Sequence, residues 1–300
     1  MSVEVLSRIQ FALTISFHFI FPAMSIGLGL VLVVMQTLRV WTGNPLYLEM
    51  ARFWTRVFGL IFGLGVATGI PMEFQFGTNW ANYARFVGDI FGSPLAIEGL
   101  YAFFMESGFL ALLLFGWNKI GPKMHLFSTC MVTLGAHFSA IWIIVANSWM
   151  QTPAGYHLAR QMKVTATGEP FPMTTDLGDL AFTVKEFPLP KDYIVQAADL
   201  GHVRAVIENF HEAMLNPSTL DRLTHTVIAC WLTGAFLVVG ISAWWLLRGR
   251  HTESARASLK ISLAMATIAC GLQMIAGDST ARGVAKHQPT KLAAMEGLQH

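Results

Sequence analysis

Long apolar runs separated by short polar breaks set the architecture of this chain. The runs are Phe11–Val40, Phe53–Phe74, Pro94–Trp117, Leu126–Met150, Leu223–Leu247 and approximately Ala257–Ala276. About 20 apolar residues let a helix cross roughly 30 Å of hydrocarbon, and a helix satisfies its backbone polar groups internally. The pattern predicts an all-α integral membrane protein, a bundle of about six transmembrane helices with a long outer loop. Thr42-Gly43-Asn44-Pro45 separates the first two runs, and Gly77–Ser93 reads as a polar, turn-rich connection. Pro94 then suits the first turn of the third helix, where a missing N–H costs nothing.

The long break, Gln151–Asp221, is polar, proline-rich and of mixed charge, which hydrocarbon rejects. Within it Asp192–Leu215 places Val195, Val203, Ile207, Phe210 and Met214 near one face, predicting a surface amphipathic helix. Ser218 followed by Asp221 has the spacing of a capping box opening the fifth helix. The expected organisation is four helices in 1–150, a polar loop in 151–221, two helices in 222–276 and a polar tail in 277–300.

Composition agrees: 54% of residues are hydrophobic and 13% charged, unlike a soluble domain. The net charge of +2, with no basic tract, gives no reason to expect a nucleic-acid partner. Cys130, Cys230 and Cys270 sit in apolar runs and read as small buried hydrophobes. The first run is too long for a cleavable signal and lacks a small-residue cleavage site. Short loops at one end hold Arg39, Arg52, Arg56, Lys119, Lys123, Arg248, Arg250 and Arg256; the other end holds Arg8 and Arg85. The positive-inside rule therefore places the N-terminus, the long loop and the tail outside.

Ionisable groups inside these runs carry the chemistry. One such group costs at least about 2.5 kcal/mol even on the lenient insertion scale, so it persists where it faces a bundle interior. His18 and His225 lie at matching depth beside Phe17, Phe19 and Trp231, and a neutral imidazole suits axial ligation of haem iron. A histidine bonded across helices is the competing reading, and for His137 both readings stay open. Glu98 and Glu106 are eight residues apart, about 12 Å along a helix. That is too far for a shared-proton pair but suits two stations on a water-linked proton path. With His18, Glu98 and His225 all within about two turns of the outer face, the site is expected near that surface. Gly59, Gly63, Gly65 and Gly69 form small-xxx-small pairs for close helix contact. The stretch Glu73–Trp80 either caps the site or forms an interfacial aromatic belt. On the residues alone the set points to a membrane redox or proton-handling site. A di-haem cytochrome relaying electrons would use the histidines without needing the carboxylates. A proton-coupled transporter would use the carboxylates and leave the histidines unexplained.

Several stretches together resemble subunit I of the cytochrome bd quinol oxidases. They are Ser7–Thr14 with His18, Gly65–Gly69 with Met72–Trp80, Gly88–Gly92, Pro94–Gly99, Phe103–Ser107, Trp142–Asn147, His225-Thr226 and Thr290–Glu296. The resemblance implies a bacterial inner-membrane enzyme that oxidises quinol outside and reduces O2 to water with protons from inside, without pumping. It implies two haem b and one haem d, with His18 on the oxygen-reducing pair and His225 on the low-spin haem b. Glu98 then lies beside the oxygen-reducing haems, Glu106 and Ser139 on the proton route, and Lys291 and Glu296 at the start of a quinol loop. Subunit II is the implied partner, with small single-span subunits possible. Family members continue past this loop into spans that bring a second ligand, a Met, to the low-spin haem and a Glu to another haem. The sequence through His300 does not include them. His137 also departs from the family pattern, where a neutral polar residue is expected.

Overall fold

The computed structural model describes residues 2–298 apart from 179, 197, 198 and 200, with 101 and 102 described by backbone alone. Among the described residues six helical stretches are long and apolar enough to cross a membrane: Val3–Thr42, Pro45–Gly77, Ala81–Phe115, Pro122–Gln151, Thr219–Leu247 and Thr252–His287. They alternate in direction. The short turns at 43–44, 116–121 and 248–251 gather at one end, here the basic end, and the long polar segment lies at the other, the sheet end.

The first stretch is two helices, α1 (Val3–His18) and α2 (Ile20–Thr42), broken at Phe19. Pro22 explains the break. It lacks the N–H that the His18 carbonyl would accept, and its ring crowds that carbonyl. Gly43, at φ +65°, ends α2 in the left-handed conformation that favours glycine. Helix α3 (Pro45–Gly77) follows, capped by the Asn44 side chain, and carries Pro71 within it.

The third stretch corrects the sequence reading. Gly77–Ser93 is mostly helical: α4 (Ala81–Ile97) begins above the apolar run and holds Pro94 in its interior. A π-helical segment (Glu98–Phe103) joins it to α5 (Phe104–Phe115). The upper part of α4 tolerates polar residues because it packs on the outer segment, not on lipid. Val87, Ile90 and Phe91 share a core with Trp149, Ala205, Ala213 and Met214. Asp89 Oδ2 accepts from the Ile207 amide at 2.8 Å.

That outer segment is a four-stranded antiparallel sheet, added to the helical bundle between α6 (Pro122–Gln151) and α8 (Thr219–Leu247). Strand β1 (Tyr156–Thr165) pairs with β2 (Pro170–Pro172), β3 (Phe182–Pro188) and β4 (Val203–Ile207). The amphipathic helix expected over Asp192–Leu215 is absent from the described residues of that range. Val203 and Ala205 point inward while Arg204 turns out to Glu186 at 3.1 Å, a period of two, not 3.6. Among the described residues the α-helix in that range is α7 (Phe210–Met214), capped by Asn209.

One carboxylate gathers Arg160, Tyr193 and Gln196. Asp199 accepts from Arg160 Nη2 at 2.8 Å, the Tyr193 hydroxyl at 2.6 Å and the Gln196 amide at 2.8 Å. The bond from Tyr193, then that from Gln196, holds the Asp199 carboxyl below its usual range, and the same bond raises the Tyr193 phenol. A depressed folded-state value means stability present above the unfolded value of about 3.9 and lost as pH falls through the lower folded value. Hydrogen exchange at the Gln196 amide is expected to quicken below about pH 4, beyond its intrinsic rate. In Asp199→Asn the loosening is expected already at neutral pH. An acid response unchanged by that substitution would remove Asp199 as its cause.

Helix packing departs from the expectation at its closest point. On α3, Gly59 meets Leu114, Gly65 meets Phe21 and Gly69 meets His18, while Gly63 faces open space. The tightest crossing is elsewhere, between Gly27 of α2 and Gly234 of α8, where backbone meets backbone. Helix α9 (Thr252–His287) runs on past Ala276, and α10 (Pro289–Met295) follows it, so the supposed polar tail is largely helical. Cys270 is exposed on α9, contrary to the buried reading, whereas Cys230 is buried and Cys130 partly so. No capping box forms at Ser218. Its hydroxyl bonds Thr152 Oγ1 at 2.7 Å, and Asp221 instead accepts from Ser279 at 2.6 Å, tying α8 to α6 and α9.

Candidate functional site

His18 closes α1 against α3. Its Nδ1 lies 3.0 Å from Thr68 Oγ1, and that hydroxyl donates to the Leu64 carbonyl at 2.8 Å. With the hydroxyl proton directed to that carbonyl, Nδ1–H can donate to Thr68 Oγ1. Nε2 then keeps its lone pair, the arrangement an iron ligand needs, with the second nitrogen held by a neighbour. A Cβ on Gly69 would stand 3.2 Å from His18 Cε1, so the glycine makes room for the ring.

His225 sits six residues into α8, beside α9. Gln273 Nε2 lies 3.0 Å from its Nδ1 and 3.3 Å from its Nε2, and Gln273 Oε1 is buried with no partner. Turning the carboxamide over presents Oε1 to Nδ1–H, which satisfies the orphaned oxygen and frees Nε2. The donor set of both histidines therefore fits haem iron. Neither Thr68 nor Gln273 stands out in the sequence, because a single hydroxyl or amide in an apolar run has no pattern of its own.

Glu98 opens the π-helical segment and accepts from Ser139 Oγ at 2.7 Å. Interruptions of this kind recur at functional sites. Pro94 lacks the N–H of a regular helix four residues earlier, and the Glu98 amide shares the Leu95 and Pro94 carbonyls. Glu106 is buried on α5 and has no hydrogen-bond partner among the described residues. The carboxylates thus stand in sequence along one helix, Glu106 nearer the basic end.

The expected common depth does not hold. Glu98 is level with Ser139, two residues from His137, and Trp231 bonds His137 across the α6–α8 interface. Trp231 is six residues, about 9 Å, further along α8 than His225. Glu98 therefore lies deeper than two turns, because its helix begins at Ala81. His137 itself is fully bonded: Nδ1 donates to the Thr133 carbonyl at 2.7 Å and Nε2 accepts from Trp231 Nε1 at 2.9 Å. It joins two helices and has no nitrogen to spare, so the competing, structural reading is right for this residue.

At the sheet end, Lys291 Nζ donates to Gln151 Oε1 at 3.2 Å, while Glu296 is exposed after α10. The Glu73–Trp80 stretch clamps α1. Gln75 donates to Thr14 at 3.1 Å, Asn79 donates to Gln10, and Trp80 meets Phe11 edge to face with centroids 5.0 Å apart. It thereby ties the end of α3 to α1 about one turn from His18.

The family model for cytochrome bd terminal oxidase subunit I matches residues 6–300. The chain belongs to that family. Among cytochrome bd proteins it is 42% identical to the cytochrome bd-II ubiquinol oxidase subunit 1 of Escherichia coli (strain K12), over 97% of this chain and 49% of that one. It is 39% identical to the cytochrome bd ubiquinol oxidase subunit 1 of Bacillus subtilis (strain 168), over 99% and 55%. The bd oxidase structure from Geobacillus thermodenitrificans superposes with a TM-score of 0.78 at 27% identity, over 97% of this chain and 57% of that one. The chain spans about half the length of the curated relatives it matches. The cytochrome bd fold of multi-pass helices and the family resemblance are both borne out.

Proposed function

We propose that the chain serves as subunit I of a cytochrome bd-type quinol:oxygen oxidoreductase in a bacterial cytoplasmic membrane, its N-terminus outside. The observation that carries this reading is the pairing of His18 and His225, each beside a neighbour able to hold one ring nitrogen, within a family match spanning the chain. Bound haem, two of b type and one of d type, would supply the one-electron and oxygen chemistry. His18 and His225 would hold the iron. Lys291 and Glu296 would meet quinol at the sheet end, which relatives' names support as a substrate class. Glu98, Ser139 and Glu106 would move protons from the basic end. Protons released at one face and taken up from the other separate charge without a pump. Subunit II, and small single-span subunits, are the partners this reading calls for.

A reduced-minus-oxidised spectrum of the complete purified protein tests the reading. A red-shifted chlorin band beside b-type bands is expected. Bands of b type alone would leave an electron relay, and no haem band would leave a proton-coupled transporter.

A further inference from the structure

We infer that Arg222 and Lys291 form a seat for a carboxylate of the porphyrin held at His225, an assignment that rests on the haem reading of that histidine. Arg222 precedes His225 by three residues on α8, so it lies about 4.5 Å nearer the sheet end on an adjoining part of the same face. Its Nη2 donates to Asn147 Oδ1, and its Nε is buried without an acceptor. Lys291 shares its acceptor, Gln151 Oε1, with Gln288 Nε2, which donates at 3.0 Å. Burial and then the neighbouring Arg222 charge both lower the Lys291 ammonium's affinity for its proton.

Two cations thus meet where α6, α8 and α10 converge, and every partner they have is a neutral amide. Among the described residues neither forms an ion pair. The acid nearest in sequence, Asp221, faces α9, bonded by Ser279 and approaching Gly283. Like charges drawn partly out of water are costly unless an anion joins them. The planar guanidinium with an unused N–H suits a carboxylate, and the ammonium adds a second point of charge. A porphyrin held at His225 would carry carboxylates on its rim, and Arg222 stands about one turn of α8 nearer the sheet end than His225. A lipid phosphate is the other anion available at this depth.

The test uses the complete oxidase and a redox titration of each haem band. Arg222→Gln is expected to lower the midpoint potential of the low-spin haem b, because a nearby cation stabilises the reduced form. Arg222→Lys is expected to restore most of that shift, and Lys291→Gln to move the potential the same way. The oxygen-side bands should stay in place. An unmoved low-spin potential in Arg222→Gln, or an equal shift in every band, overturns the inference. Should Arg222→Gln not assemble, Lys291→Gln and Arg222→Lys decide it by the same reading. Loss of a bound anionic lipid in native mass spectrometry, with the potential unmoved, would reassign the seat to a phosphate headgroup. Survival of the low-spin band in His225→Ala would defeat the haem reading itself, and this inference with it.

Discussion

Gly234→Val is expected to abolish accumulation of folded protein, the largest effect of any single substitution outside the ionisable groups. A Cβ at Gly234 would overlap the Gly27 carbonyl carbon and stand 2.5 Å from Gly27 Cα; one at Gly27 would overlap the Cys230 carbonyl and stand 2.7 Å from Gly234 N. Both sides of the clash are backbone, so no rotamer change relieves it. Overpacking of side chains usually costs about 1–3 kcal/mol, and a backbone clash belongs at or above the top of that range. The helices involved carry the core: α2 supplies Leu28, Val31, Leu32 and Met35, and α8 supplies Val238. Spreading them opens the centre of the bundle. Gly63→Ala is the control, since its Cβ meets nothing within 4 Å. Fluorescence-detected size exclusion should show a monodisperse peak for Gly63→Ala and none for Gly234→Val. A monodisperse Gly234→Val would mean that the α2–α8 crossing is looser than described.

Glu98→Gln is expected to lower oxygen consumption by the complete oxidase about 10²-fold while haem content holds, the lower end of what a positioned proton-transfer group contributes. The substitution keeps shape and an acceptor oxygen for Ser139 but removes the group that takes and releases a proton. Ser139→Ala removes only the 2.7 Å bond to the carboxylate. A hydrogen bond to a charged group is worth about 1.5–3 kcal/mol, and because Glu98 itself is kept, a loss at the lower end, about tenfold, is expected there. An oxygen electrode on the purified variants separates the two. Equal losses in both would show that Glu98 acts through Ser139's position. Unchanged rates would take Glu98 off the proton route.

The bundle was legible because an apolar run of sufficient length admits one backbone solution in hydrocarbon. His18, His225, Glu98 and Glu106 stand out in the sequence for the converse reason: an ionisable group in an apolar run is costly unless it faces the bundle interior. Ser139 entered through the family resemblance, on the route of Glu106; its bond to Glu98 is seen only in the structure. What failed lay at the water-exposed end, where burial depends on partners distant in sequence. Ala81–Ser93 reads as a turn until the sheet covers Val87, Ile90 and Phe91. The 203–207 stretch fits both periods over so few residues, and pairing with β1 decides for a strand. Ser218 and Asp221 match a capping box but find stronger partners in Thr152 and Ser279. Arg222 carries no signal in the sequence, because only the fold brings Lys291 to the same face of α6, at Gln151 one turn from Asn147.

The account rests on nitrogen from His18 and His225 holding iron in two separate places. Difference spectra of His18→Ala and His225→Ala in the complete oxidase measure this directly, with total porphyrin determined on the same samples. His225→Ala is expected to lose the low-spin b band, and His18→Ala to lose or shift a band of the oxygen-reducing pair. Full porphyrin content and unaltered spectra in both variants would contradict it.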